Sequence, residues 1–246
     1  MDLSKGFAAV YDKFMDGIPY IEWADYIEKI WDRFGLKPGI ALDLCCGTGN
    51  MTVLLNSRGY DMIGLDISPE MLGIAKSKNN GILYICQDMR EFELYGTVDA
   101  VVCLCDSVNY ILDKNELLKV FKLVNLYLNG GGLFIFDINT EYKFEKILAD
   151  NTFAEAREDS AFIWGNYYCK EERINEYQMT FFAENGTDGR YLRFDELHVE
   201  RAYGIDEIKE IIKKSGLALC GVYDELSFNK PKKESERVFF VAKKEN

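Results

Sequence analysis

Histidine occurs only once in these 246 residues, as His198, and the seven cysteines include no C-x-x-C pair. That pattern argues against structural zinc, which takes four closely spaced Cys or His ligands. Cys45 and Cys46 are adjacent, Cys103 and Cys105 alternate, and the rest are scattered. Most lie in apolar runs, where a reduced cysteine packs as a small hydrophobe. Basic residues are also in short supply, 29 against 41 acidic, for a formal charge of -12. This balance opposes long-range attraction to nucleic acid or an anionic membrane. The one Lys-rich segment, 229–233, reads as a solvated hairpin tip. No apolar run approaches the roughly 20 residues of a membrane helix. Met1–Gly6 carries an acid early and lacks the apolar stretch and small-residue cleavage site of a secretory leader. These absences predict a cytoplasmic protein with a small-molecule partner and no membrane or nucleic-acid partner.

What is present suits a packed α/β chain. An apolar fraction of 48% supports a core, and 14% aromatic content fits either a ring-binding pocket or a dimer contact, so monomer and homodimer are both open. The length accommodates one α/β domain with an insertion, or two small domains sharing a ligand. Ile27, Ile30, Trp31 and Phe34 recur at helical spacing in an amphipathic helix over 20–34, stopped by Gly35 and Pro38-Gly39. Strands are then predicted at 40–45, 61–66, 82–86, 98–105 and 132–138, with helices at 50–57, 69–77 and 114–128. Strands as continuously apolar as Val98-Asp-Ala-Val-Val-Cys-Leu-Cys105 require a parallel sheet covered on both faces.

Between 141 and 200 the rhythm changes. Segments 161–169, 173–183 and 190–200 are rich in β-branched and aromatic residues, with a turn at Asn185–Gly189. They predict a small antiparallel β insertion at 141–200, a lid or acceptor subdomain, flanked by a main domain of 1–140 and 201–246. Helix 206–214, strand 217–223 and a closing antiparallel strand 236–243 complete that main domain.

Chemistry concentrates where strands end. Ala41-Leu-Asp-Leu-Cys-Cys-Gly-Thr-Gly-Asn50 runs from a buried strand through a small-residue turn into a helix, aiming backbone N–H groups at whatever occupies the turn. Gly47 and Gly49 permit close approach of a ligand to the backbone. Ile63-Gly-Leu-Asp66 ends the next strand in a carboxylate able to accept both hydroxyls of a ribose. Ser68 can cap the helix that follows, with Pro69 in its first turn. Asp88 follows the third strand, where it can accept from an exocyclic amine.

Taken together, Asp43-Leu-Cys-Cys-Gly-Thr-Gly49, Asp66, Gln87-Asp88-Met89 and Leu104-Cys-Asp-Ser-Val-Asn109 resemble the motifs of class I S-adenosylmethionine-dependent methyltransferases, over about 40–138 and more loosely 200–243. The resemblance implies a Rossmann-like fold with a mostly parallel seven-stranded sheet, and S-adenosyl-L-methionine as cofactor. It implies that Asp66 holds the ribose, Asp88 the adenine amine, Met89 the ring through its backbone N–H, and Asp43 the methionine end. Cys45, Ile67, Met71 and Cys105 flank these positions and join Gly47 and Gly49 in the expected contact set. A nicotinamide or flavin dinucleotide protein is the rival, but its third glycine is replaced here by Thr52. A non-catalytic protein that kept the cofactor pocket would carry the same motifs.

Methyl transfer from a sulfonium requires alignment and water exclusion more than a nucleophilic residue. Phe7, Tyr11 and Phe14 lie at helix-compatible spacing and resemble the tyrosine-containing opening of sugar N-methyltransferases and glycine N-methyltransferase-like enzymes. That likeness implies a cofactor and catalytic role for Tyr11. Asp106, Asn109 and Tyr110 after the fourth strand, with Trp164 from the insertion, are the expected acceptor wall; Tyr167, Tyr191 and Phe194 are further lid candidates. His198 is the candidate general base. The N/D-P-P-Y/F signature of enzymes acting on base or glutamine amino groups is missing after strand four, which favours a small-molecule nitrogen or oxygen as acceptor.

Overall fold

The computed structural model describes residues 7–185 and 189–245, so the leader reading at 1–6 and the turn centre at 186–188 lie outside the described residues. Two helices, α1 (Phe7–Phe14) and α2 (Tyr20–Arg33), precede the first strand. The alternating part runs β1 (Ile40–Leu44), α3 (Asn50–Ser57), β2 (Asp61–Asp66), α4 (Pro69–Lys78), β3 (Leu83–Cys86), β4 (Val98–Cys103), α5 (Lys114–Tyr127) and β5 (Leu128–Asn139). Four strands follow: β6 (Thr152–Ala156), β7 (Ser160–Cys169), β8 (Ile174–Glu184) and β9 (Tyr191–Arg201). The chain ends with α6 (Ile205–Lys214), β10 (Leu217–Asp224) and β11 (Arg237–Lys244).

Seven strands form one sheet in the order β10-β11-β5-β4-β1-β2-β3, and in it only β11 runs against its neighbours. Period-two alternation loads both faces of this sheet. Phe134, Phe136 and Phe240 point to the side covered by α5 and α6, while Leu133, Ile135 and Phe239 point to the side covered by α2, α3 and α4. Phe136 and Phe240 are register partners whose rings stack at 5.1 Å. Helix starts follow local chemistry: the Ser68 hydroxyl accepts from the Met71 N–H, and Asp113 accepts from Asn115 and Glu116.

Two predicted strands stop early. The first ends at Leu44 because Cys45 takes φ 66°, and the fourth ends at Cys103 because Cys105 and Asp106 take φ 57° and 53°. Non-glycine residues adopt this left-handed region only where the surroundings hold them there. Both breaks bend the chain at the same edge of the sheet. The strand predicted at 132–138 instead extends over Leu128–Asn139.

The second sheet, β6-β7-β8-β9, is antiparallel throughout. Its β6 was not legible in the sequence, being an edge strand with almost no buried position to create an alternating pattern. Helix α1 lies between the two sheets. On one side the Asp12 carboxylate accepts from Thr48 Oγ1 at 2.6 Å and Asn50 Nδ2 at 3.1 Å, and pairs with Lys78 at 2.7 Å. On the other, Phe14 meets Phe162 edge-on at 4.9 Å, and Val10 packs in the same cluster as Phe181.

Beneath this junction Arg237 of β11 is buried against Asp137 of β5, to which it donates, and donates at 2.7 Å to Asp106 after β4. Breaking a buried ion pair from one side strands the remaining charge, at about 3–5 kcal/mol. Arg237→Met is therefore expected to lower unfolding free energy by about that much, read from urea denaturation followed by circular dichroism. A loss under about 1 kcal/mol would contradict the pairing.

Candidate active site

A cavity of about 770 Å³ opens at the carboxyl ends of β1, β2 and β4, where ligands bind in open α/β sheets. Glycine turn, strand ends, α1 and β9 all contribute to its walls. Gly47, at φ 54°, lines it: a Cβ built there would meet nothing within 4 Å and would project into open space. Helix α3 starts without a side-chain cap, which leaves its first N–H groups for the turn and what lies against it.

Asp66 is the hub of this end. Its Oδ2 accepts from the Gly47 N–H at 2.8 Å, and its Oδ1 accepts from the Ser68 N–H at 2.9 Å. The carboxyl is thus fixed between the glycine turn and the start of α4. Burial raises its pKa, and the Gly47, Ser68 and Ile67 amides oppose that rise. Asp43, almost fully enclosed, accepts from Thr52 Oγ1 and is pushed up to about 7 by burial. The Gln87 N–H donates to the Asp66 carbonyl at 3.0 Å, which brings the segment carrying Asp88 and Met89 beside the end of β2. Asp88 is gripped by its neighbour: Arg90 Nε donates to both carboxylate oxygens, at 2.9 and 3.0 Å. That guanidinium holds the Asp88 carboxyl below its ordinary value.

The opposite end is phenolic. Tyr11 of α1, Tyr20 of α2 and Tyr110 after β4 line it, and burial raises all three phenols so that they stay protonated. From β9 come Glu196 and His198, whose alternation on the strand puts both on the cavity side. Tyr110 Oη lies 3.2 Å from His198 Nδ1, with the rings edge to face. Burial lowers the His198 pKa below its ordinary 6.5, so the ring is neutral at pH 7.

The structure therefore gathers Tyr11, Asp43, Cys45, Gly47, Asp66, Ile67, Met71, Asp88, Met89, Cys105, Tyr110 and His198 around one cavity. Four expected residues are placed elsewhere. Gly49 sits behind the wall at φ 76°, where a Cβ would come within 2.9 Å of the Ala75 Cβ, so it serves the packing of α3 on α4. Asp106 turns away to Arg237. Asn109 is fully buried; its amide donates to the carbonyls of Asn139 and Arg201 and accepts from the Asn139 N–H, tying the turn after β4 to both sheets. Trp164 packs against Phe153 and Tyr177 within the second sheet's own core. Among the other lid candidates, Phe194 stacks on Phe181, and Tyr167 and Tyr191 are exposed.

Sequence reasoning missed Tyr20, Thr48, Arg90, Ser107 and Glu196. Tyr20 opens a helix read only for its apolar stripe, and Glu196 became visible only once β9 had a face. His198 two residues away was the available signal for it. Among the described residues no group of three His, Cys, Asp or Glu could hold a metal ion, and no helix is long and apolar enough to cross a membrane.

Comparison with known proteins agrees with this geometry. The family model described as "Methyltransferase domain" matches residues 41–132. The chain is 38% identical over 244 residues to the putative methyltransferase YqeM of Bacillus subtilis (strain 168), covering 98% of this chain and 96% of that protein. It superposes with a TM-score of 0.88 and 33% identity on the crystal structure of an S-adenosylmethionine-dependent methyltransferase from Clostridium acetobutylicum ATCC 824, covering 99% of each chain. The same fold, with a TM-score of 0.77 at 21% identity and 96% coverage of both chains, is found in SAM-bound CalS10, an amino pentose methyltransferase from Micromonospora echinaspora.

The Asp43 carboxyl sets a pH signature. Its folded value of about 7 stands above its ordinary 3.8, so the folded state binds its proton more tightly. The stability it contributes is whole below about pH 4 and is lost as pH rises through about 7. Asp43→Asn cannot ionise, so the melting temperature of the variant relative to the parent should climb from about pH 5 to about pH 8. A difference independent of pH would contradict a carboxyl raised by burial.

Proposed function

The chain belongs to the S-adenosylmethionine-dependent methyltransferases, and from that premise we propose that it methylates the nitrogen of a small polar amine, of the amino-sugar kind. The observation that carries this reading is that Glu196 and His198, from the second sheet, line the same cavity as Gly47 and Asp66 from the first. An acceptor held between them would meet the cofactor in a cavity of about 770 Å³, within the size range of small-ligand pockets. The amino pentose methyltransferase with the same fold supports the substrate class.

The residues present fit S-adenosylmethionine. A carboxylate offers about four acceptor sites, and the backbone amides at Asp66 leave capacity for ribose hydroxyls. The open space at Gly47 admits a ligand against the backbone. Buried Asp43 and half-buried Asp66 suit a cofactor bearing amine and sulfonium charges. In this assignment Asp66 holds the ribose, Asp88 and Met89 the adenine, and Asp43 with Tyr11 the methionine end. When bound, the cofactor supplies an electrophilic methyl group for in-line displacement.

The protein's own contribution is orientation, dryness and proton management. Helix α1 and strand β9 supply walls of the cavity, and a bound acceptor that displaces water there would strengthen each polar contact within it. Tyr11, Tyr20 and Tyr110 offer hydroxyls that neither ionise nor compete as nucleophiles at neutral pH. Glu196 can accept hydrogen bonds from a polar acceptor. As the new C–N bond forms, the nitrogen becomes a stronger acid, and neutral His198 is placed to take its proton.

Two measurements test the reading. Calorimetry should show S-adenosylmethionine binding that weakens about 10- to 100-fold in Asp66→Ala, the cost of losing hydrogen bonds to a charged group. Undiminished binding by the variant would overturn the cofactor assignment. With cofactor labelled on the methyl group, transfer to amino sugars and not to their hydroxyl counterparts is the expected result; transfer confined to the hydroxyl compounds would overturn the amine assignment.

A further inference from the structure

Charge is distributed unevenly around the cavity. Among the described residues its lining carries five carboxylates, those of Asp43, Asp66, Glu70, Asp88 and Glu196, and one guanidinium, that of Arg90. Four of these acids are engaged within the protein. Asp66 accepts from the Gly47 and Ser68 amides, and Asp43 from Thr52. Glu70 accepts from the Ser68 hydroxyl at 3.1 Å, and Asp88 takes up the Arg90 guanidinium through both oxygens.

Glu196 differs. Its neighbour Leu197 is 61% exposed, so strand alternation turns Glu196 inward, onto the face where its register partner Met179 packs with the apolar clusters of the second sheet. The side chain is half-buried. Among the described residues no hydrogen bond and no ion pair engages its carboxylate, although its charge is felt by the His198 ring. A partly desolvated carboxylate of this kind is stabilised by a ligand that brings donors or positive charge, and it opposes one that brings negative charge.

Cations that could offset an anionic ligand are committed elsewhere. Lys13 of α1 pairs with Asp159, Lys78 of α4 with Asp12, and Arg157 with Asp16. Arg193, on the outward face of β9, pairs with Asp195. Backbone amides can also bind phosphate, but those at the start of α3 lie at the glycine turn, where Asp66 already accepts from Gly47.

We propose that Glu196 selects the acceptor by charge, so that the methylated compound is a free amine bearing no phosphate or carboxylate, and not a phosphorylated or nucleotide-linked sugar. The proposal rests on the reading of this cavity as the acceptor site and names the charge class that the site takes. A phosphate monoester brings about two negative charges, and the acceptor end offers it a carboxylate in place of a guanidinium. An amine arrives largely as its ammonium, which Glu196 attracts. Selection is complete at entry; the transfer itself needs the neutral nitrogen.

Binding tests this without turnover. Protein loaded with S-adenosylhomocysteine has no methyl group to transfer, so calorimetry at pH 7 reads the affinity of acceptor probes directly. The parent should bind glucosamine at least about 10-fold more tightly than glucosamine 1-phosphate. Glu196→Gln keeps the size and hydrogen-bonding capacity of the side chain but not its charge, and should narrow that ratio to about 3-fold or less. Glu196→Lys should reverse the preference. Parent protein that binds the phosphate as tightly as the free sugar, or a ratio unmoved in Glu196→Gln, would overturn the proposal. Should the variants fail to fold, the parent alone decides: raising salt from about 0.05 to about 0.5 M should narrow its preference, and a ratio indifferent to salt would overturn the proposal. Glucose and glucose 1-phosphate form the companion pair. If the amine reading fails, glucose is the probe that turns over with methyl-labelled cofactor, while the preference for the unphosphorylated member of each pair stands; if charge selection fails, the preference within each pair is lost whichever atom is methylated.

Discussion

Arg237 lies buried at the edge of the sheet, between the carboxyls of Asp137 and Asp106. A guanidinium in that position is tolerable only when its donors find anions, and the anions only when they find it. This mutual requirement joins β11, β5 and the turn after β4 into one rigid corner. The left-handed backbone at Cys105 and Asp106 is held by it, with the Asp106 N–H donating to Asp137 at 3.0 Å. Tyr110 follows within the same turn, so a phenol that borders the cavity is positioned by a charge cluster it does not itself belong to.

The cavity divides into two chemical halves. At the first, backbone amides and aspartates surround a glycine turn, an arrangement suited to a sugar and a cationic tail. At the second, three protonated phenols, a glutamate and a neutral imidazole face inward. Helix α1 spans both, pinned to the glycine turn through Asp12 and to the second sheet through Phe14. Closing the site and joining the two sheets are therefore one structural act, since the same short helix packs on each.

Much of this was legible in the residues. Continuous apolar strands announced a sheet covered on both faces, and the carboxylates of Asp43, Asp66 and Asp88 at successive strand ends marked the glycine-turn half of the cavity. These signals are local: a strand running into Gly47 and a capped helix after Asp66 can be read within ten residues. The half lined by Tyr110, Glu196 and His198 carries no such signature. Asn109 looked like a ligand group because of where it falls after β4, yet its amide is consumed by three backbone partners contributed from residues 139 and 201. Trp164 has the composition of a lid residue but the surroundings of a core one.

What the sequence alone determined was the seven-stranded α/β frame, the antiparallel insertion and the strand-end aspartates that line the cavity, because hydrophobic period and strand-end chemistry are written over short spans. Tertiary structure alone decided which side of β9 meets the cavity and which carboxyls turn to Arg237. Those outcomes depend on the register of strands distant in sequence and on charges brought together by folding. A one-residue slip of β9 would have exposed Glu196, His198 and Glu200 and turned Leu197 inward.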